Sequence, residues 1–481
     1  MTFIPTRTDG ALHDCLIVCQ NSEGVNIRAT LVKLSRFNVV FEIYGAGGGL
    51  RLSEVLADFK VVIHDRTIYS GRASIRSLVN TGQNEVCEAT LDESAWTDLQ
   101  FATATANGYL RGKFDDFMKE WQRFYRIVPE FKAVMADMQS FLSEMRLWSE
   151  QVELEIRTSP AAAQPALERR AVDELTAPVV KVIDTFVDRF ETLVADLDPD
   201  LHPVHCALLR RQLHPLVLSS PFAHRTFYKP LGYAGDYGMV DMMVRPPHEG
   251  ETLFAKIINT WLLGQAPAQA HRNRVVYLTR KLYEEAARTR SLGRRLKVYN
   301  VGCGPAAEIQ AYLRDHPISS ETDFTLLDFN EETLQHGASI LEGVRVKNNR
   351  STQIQFIRRS VNQLLKEASR PVPQSSTAGQ YDFIYCAGLF DYLSDLVCKR
   401  LMDMFYSMLA PGGLLVATNV SDALNADRPF RYSMEYILDW HLIYRDGHQV
   451  ATFAPELAPP DSSNVVLEDT GTNVFIEVRK P

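Results

Sequence analysis

Residues 227 to 243, FYKPLGYAGDYGMVDMM, gather Tyr228, Tyr233 and Tyr237 with Lys229, Asp236 and several glycines, inside a region otherwise written in helical periods. Phenol hydroxyls and one ammonium can hold a carboxylate without taking a proton from it. Tyr228, Lys229, Tyr233 and Tyr237 are therefore the first candidates for a site that grips a small anion. Tyr392 joins them from a second aromatic stretch, YDFIYCAGLFDYLSD. Asp236 suits either of two tasks, holding an amino group or acting as base for a neutral acceptor, and neighbouring His224 is a second candidate base. Downstream, RPFRYSMEYILDWH (428 to 441) supplies Arg431, Tyr432, Glu435 and Trp440; an arginine there can fork onto a carboxylate. A structural reading stays open beside this one, in which PLGYAGDYG is a turn whose tyrosines bond to backbone.

A second motif, VYNVGCGPAAE, sets Gly302 and Gly304 between an expected strand and an expected helix. Glycines at such a junction let the backbone turn tightly and approach a nucleotide-like ligand. Asp328 ends the next expected strand, about 24 residues on, where a carboxylate can accept from ribose hydroxyls. A dinucleotide-binding enzyme would share both features, although Ala306 stands where its fingerprint usually has a third glycine.

The elements that must position these residues fall into three textures. From Leu12 to about Leu91, short β-branched runs (DCLIVCQ, IRATLVKL, FNVVFEIY, FKVVIHD, TIYSGRASI, NEVCEATL) separated by turns such as GAGGG and NTGQN predict a small antiparallel barrel or sandwich. After Gly108, Phe114, Phe117, Trp121, Phe124, Val128, Phe131, Met135, Met138, Phe141 and Met145 step by three and four almost throughout. That spacing predicts one helical face over about nine turns, a core or dimer helix. RTSPAAAQPALERR (157 to 170) reads as a Pro/Ala connection, and helical periods resume and recur from Thr252 to Arg290. From Leu296 onward, strands and helices alternate and end in a hairpin, which predicts a parallel sheet covered by helices on both faces.

With 481 residues, two or three domains are expected. Apolar content of 46% and charged content of 23% are those of soluble globular proteins. A formal net charge of −8 offers no basic footprint for nucleic acid. No apolar run approaches the roughly 18 residues of a membrane span, and MTFIPTRTDGALHD lacks the apolar core of a signal peptide. The scattered cysteines form no metal-ligand pairs, so no metal is expected; reduced structural thiols and a cytoplasmic location are.

The succession YDFIYCAGLFDYL, MLAPGGLLVATNV and closing hairpin resembles class I S-adenosylmethionine-dependent methyltransferases, over roughly residues 291 to 481. The resemblance implies S-adenosyl-L-methionine as cofactor and S-adenosyl-L-homocysteine as product. It carries the cofactor contacts to Asn300, Gly302, Gly304, Asp328, Phe329, Ser360, Val361, Asn362, Cys386 and Gly388. The sequence departs from the pattern at Asn300, where an acidic residue is common, and at Ser360 and Asn362, which stand in the region of an adenine-binding Asp. Glu308 is either part of this site or surface charge. YKPLGYAGDYGMVDMM paired with YDFIYCAGLFDYLSD further resembles bacterial methyltransferases of 3-hydroxypalmitic acid methyl ester biosynthesis, a quorum signal, over roughly 110 to 481. That implies carboxyl O-methylation of a hydroxy fatty acid or a related small acid. An acceptor carboxylate with a pKa near 4 to 5 is already ionised at neutral pH and needs no general base.

The first hundred residues resemble a degenerate PilZ-like barrel. KLSRFN retains only Ser35 of an Asp/Asn-x-Ser-x-x-Gly pattern, with Lys33 and Asn38 at its outer positions, and no Arg-x-x-x-Arg precedes it. Cyclic di-GMP is accordingly not expected, and a docking or dimerisation module is. The expected fold class is multidomain α+β: an N-terminal antiparallel β-barrel (1–106), a central helical region (107–215), a helical cap carrying the tyrosine motif (216–290) and a C-terminal Rossmann-like α/β methyltransferase domain with a closing antiparallel hairpin (291–481). Two alternatives stay open: an N- or hydroxyl O-methyltransferase of another small molecule, and an inactive regulatory binding protein.

Overall fold

The computed structural model describes residues 15–44, 50–63, 66–80, 84–92, 95–96, 126–368, 379–421 and 430–481, with isolated helical positions between 111 and 119. The chain divides into two compact units. One takes residues 1–234, 248–262 and 429–441; the other takes 235–247, 263–428 and 442–481.

The first unit opens with six antiparallel strands: β1 (Cys15–Gln20), β2 (Asn26–Leu34), β3 (Asn38–Tyr44), β4 (Val55–Ile63), β5 (Arg66–Asn80) and β6 (Asn84–Leu91). They close into a barrel in the order β1-β2-β3-β6-β5-β4, the β1–β4 pairing sealing it. Alternation decides what fills it, because successive strand residues face opposite sides. Ile17, Val39, Phe41, Phe59, Val61 and Ile75 are wholly buried. Burial pushes the Cys19 thiol up to about 12, as expected of a structural thiol.

The expected long helical stripe is broken. Residues 126–128 are not helical, and a helix runs from Pro129 to Thr158. Proline is at home at the first helical position but cannot continue a preceding turn, which is why the period restarts there. Of the stripe, Phe131, Met135, Met138 and Met145 are buried on this helix; Phe117, Trp121 and Phe124 lie outside the described residues. The Gln164–Ala195 helix packs beside it, reduces the Pro/Ala connection to a short turn, and continues through Pro178. Glu191, buried on that helix, accepts from the backbone N–H groups of Tyr432 (3.0 Å) and Ser433 (2.6 Å), and so fixes the start of the Arg431–Ile437 helix.

The second unit is built on a seven-stranded sheet: β7 (Leu296–Val301), β8 (Thr322–Asp328), β9 (Gln353–Arg358), β10 (Tyr381–Cys386), β11 (Leu409–Val420), β12 (Ser463–Leu467) and β13 (Asn473–Arg479). Its order is β12-β13-β11-β10-β7-β8-β9. Strands β7 to β11 run parallel, and β13 inserts antiparallel between β11 and β12. Strand order reverses between β7 and β10, which makes that inner pair the topological switch point, where open α/β sheets take ligands at their carboxyl ends. Val301 pairs with Cys386 in register, so the two loops that follow leave the sheet side by side. Among the described residues, no helix is long and apolar enough to cross a membrane.

Candidate active site

The loop after β7 has a backbone few side chains could adopt. Gly302, Gly304 and Ala306 have φ of 71°, 51° and 52°. A Cβ on Gly304 would meet nothing within 4 Å, so this loop presents bare backbone to open space. Ala306 is left-handed despite its methyl, at a cost of about 1–2 kcal/mol. It stands one residue before the Ala307–Asp315 helix, where the third glycine of a dinucleotide fingerprint would relieve that strain.

Asp328 ties the loop to the next strand end. Its Oδ2 accepts from the Gly304 N–H at 3.3 Å and its Oδ1 from the Asn330 N–H at 3.0 Å. A carboxylate has about four acceptor positions, so these two bonds orient its plane without exhausting it. Phe329 is half-buried in the same turn. Ser360 does something more local. Its Oγ accepts from the Gln363 N–H at 3.4 Å while Gln363 Oε1 accepts from the Ser360 N–H at 2.9 Å, a reciprocal cap on the Val361–Ala368 helix. Val361 is buried and Asn362 exposed on its first turn.

Glu308 is not surface charge. It is buried beneath the loop, accepting from Tyr385 Oη at 2.6 Å and from Asn300 Nδ2 at 3.4 Å. Burial pushes its carboxyl up, and the Tyr385 bond and the Arg274 charge pull it back.

Arg274 is the residue that sequence reasoning missed. It lies on the Ala266–Ser291 helix, one helical step from His271, whose Nδ1 takes its Nη2–H at 2.8 Å. The half-buried guanidinium packs on bare backbone: a Cβ on Gly388 (φ 82°) would stand 3.0 Å from Nη2. Burial lowers its affinity for the proton, while Asp391 and Glu308 raise it. His271 Nε2 is buried with no hydrogen-bond partner among the described residues, and burial beside Arg274 holds the ring well below its usual pKa, hence neutral. The only signal in the sequence was the i, i+3 spacing of a His and an Arg on a helix preceding β7, too common to single out.

The two aromatic motifs do come together, in part. Within the second unit, the Tyr392 hydroxyl lies 2.9 Å from where a Cβ on Gly235 would sit. Asp236 caps the Tyr237–Val244 helix by accepting from the Met239 N–H at 2.9 Å. Tyr237 donates to Glu332 Oε1 at 2.6 Å, and its ring lies 4.2 Å from that of His336. Cys386 is wholly buried at the end of β10, and the Gly388 N–H donates to Thr418 Oγ1 at 3.0 Å.

The other candidates belong to the first unit. Lys229 is buried there and gives its three hydrogens to Asp439 Oδ2 (2.8 Å), the Asp439 carbonyl (2.6 Å) and Ser74 Oγ (3.1 Å). Burial pushes it down to about 8 against the pull of Asp439. The expectation that Lys229 grips an anion gives way to an internal ion pair, because every donor is used. Arg431 is likewise engaged, with Glu435 Oε1 at 3.0 Å. Tyr228, 48% exposed, lies tilted against the His224 ring at 4.4 Å. Tyr233 is half-buried, and so are Tyr432, whose ring stacks on His202 at 5.9 Å, and Trp440, whose N–H bonds the Met434 carbonyl.

No family model and no curated protein matches the chain. Solved structures are similar to it at low identity. A possible exported protein from Bordetella parapertussis is 19% identical over 67% of this chain and 99% of that one, with a TM-score of 0.43. Magnesium protoporphyrin IX methyltransferase from Synechocystis PCC 6803 with bound SAH is 12% identical over 44% and 87%, with a TM-score of 0.30. A SAM-dependent methyltransferase from Methanosarcina mazei is 13% identical over 39% and 93%, with a TM-score of 0.28. Likenesses this remote assign neither a family nor a reaction.

Proposed function

We propose that the chain is an S-adenosylmethionine-dependent methyltransferase that converts a small or fatty hydroxy acid to its methyl ester. The observation that carries this reading is the switch-point loop: Gly304 opens bare backbone to space while its N–H is tied to Asp328 at the end of the neighbouring strand. Those features suit an adenosyl ligand, with Asp328 accepting from ribose hydroxyls, Asn300, Gly302 and Gly304 lining the loop, and Phe329, Ser360, Val361 and Asn362 on the adenine side. Arg274, beside Cys386 and Gly388, offers a guanidinium to the ligand's carboxylate. The cofactor supplies an electrophilic methyl group on a sulfonium. The chain's own task is to exclude water and hold the acceptor in line, and such positioning can account for much of the rate. Tyr392, whose hydroxyl lies against Gly235, is suited to steadying an acceptor oxygen, while the Tyr237 proton is already given to Glu332; neither need take a proton from an acid that is already ionised.

The test is incubation with S-adenosylmethionine and a panel of 3-hydroxy acids, amines and phenols, with mass spectrometric detection of methylated product. Methyl esters, formed at a kcat/KM that stays flat between about pH 6 and pH 9, are expected of an acceptor ionised throughout that range. A bell-shaped profile on an amine or phenol would move the assignment to base-assisted transfer. Absence of S-adenosylhomocysteine binding would remove the enzyme reading altogether.

A further inference from the structure

Within the first unit, the outside of the barrel and the helices against it enclose a pocket of about 400 Å³, within the range of roughly 300–1,000 Å³ usual for small-molecule sites. Its wall is cationic. Arg72 and Arg76 come from β5, where their spacing of four puts them on one face of the strand with Ser74 between. Arg210 and Arg211 come from the His202–Val217 helix. Against them stand Asp92, Glu435 and Asp439.

The balance of pairing matters more than the count. Asp439 is already held by Lys229 and by Arg210, each at 2.8 Å, and Glu435 by Arg431. Among the described residues Arg72 pairs with no carboxylate; it lies across the Phe227 ring at 5.2 Å and donates to the Phe227 carbonyl at 3.1 Å. Arg76 and Arg211 make no hydrogen bond or ion pair among the described residues. Among the described residues, Asn38 Oδ1 is buried without a hydrogen-bond partner, its amide nitrogen being used on Glu88, while His441 Nε2 keeps only a long contact of 3.6 Å with Asp439 Oδ1. A buried polar atom without a partner is costly, and Asn38 Oδ1 stands in that state beside two guanidinium groups that make no hydrogen bond among the described residues. Phe37, Leu91 and Phe227 give the same pocket apolar wall.

We propose that this pocket binds a small organic oxyanion with a flat or apolar body. Arg76 and Arg211 take its phosphate or carboxylate, and Asn38 Oδ1 accepts from a donor on its body. The site lies wholly in the first unit and does not depend on methyl transfer.

The test is calorimetric titration of the full chain with guanosine 5′-monophosphate, 3-hydroxydecanoate and inorganic phosphate. One organic probe should bind one-to-one with a Kd well below about 1 mM, and should weaken at least tenfold in Arg76→Ala/Arg211→Ala. Preference for the nucleotide would assign a phosphate ligand and preference for the acid a carboxylate; either supports the site. Both substituted side chains reach solvent, and an unchanged melting temperature of the double variant verifies that it folds. Failure of both organic probes to bind, or binding that survives the double substitution, overturns the proposal. Silence from S-adenosylhomocysteine in the same calorimeter would count against methyl transfer alone.

Discussion

Two cations, buried Lys229 in one unit and half-buried Arg274 in the other, show how differently proteins use a charge taken away from water. Around Lys229 the account is closed: three donors meet three acceptors, and Asp439 is shared with Arg210. Around Arg274 it stays open, with a guanidinium laid on the bare backbone of Gly388 and a neighbouring imidazole whose Nε2 has no partner. Saturation marks a structural cluster, and incomplete saturation beside glycine loops marks a place prepared for a ligand. Residue type alone pointed to Lys229, whose three donors are all used inside the first unit.

That contrast can be broken by substitution. Lys229→Ala leaves Asp439 buried with one cation fewer and should cost roughly 3–5 kcal/mol, read as an early thermal or urea transition of the first unit with little change in S-adenosylhomocysteine affinity. Acid should probe the same cluster. Burial pushes the Asp439 carboxyl up, but Lys229 and Arg210 more than reverse this and hold it well below its ordinary 3.8. Its contribution to stability is therefore fully present above that value and lost as pH falls through its folded value. A stability–pH curve should steepen below about pH 4, and Asp439→Asn should flatten it. Arg274→Met should do the opposite of Lys229→Ala: an unchanged melting temperature, with S-adenosylhomocysteine bound at least tenfold more weakly, about 1.5–3 kcal/mol for a lost charge-assisted contact. Equal damage to stability from both substitutions would erase the distinction. The smallest effect belongs to Ala306→Gly. Relief of the left-handed strain, offset by a more flexible unfolded chain, should leave a gain of at most about 1 kcal/mol, visible as a slightly higher melting temperature.

Much of this architecture could be read from the sequence because periodicity carries it. All six barrel strands and all seven sheet strands fall on the expected runs, since alternation and short β-branched blocks are local signals. The glycine loop and Asp328 were legible for the same reason: backbone permissiveness and strand-end position are written in neighbouring residues. What escaped was long-range pairing. Nothing near Lys229 announces Asp439, and nothing near Arg274 announces Gly388. Pro129, by contrast, is a local signal masked by the long run of apolar spacings around it. Ser360 stood where a cofactor contact was expected, and its capping of the next helix follows from Gln363 three residues on.

The first unit also incorporates residues 429–441, and its Lys229–Asp439 bonds join positions 210 apart in the chain. During synthesis the barrel strands emerge before Asp439, and Lys229 waits for 210 further residues before its counter-ion exists. Until then an unpaired ammonium stands at a site meant to be dry, so this part of the molecule cannot reach its final packing as an independent early domain. Ribosome-bound chains ending before residue 439 should accordingly be far more protease-sensitive in the first unit than released protein, a folding delay set by topology.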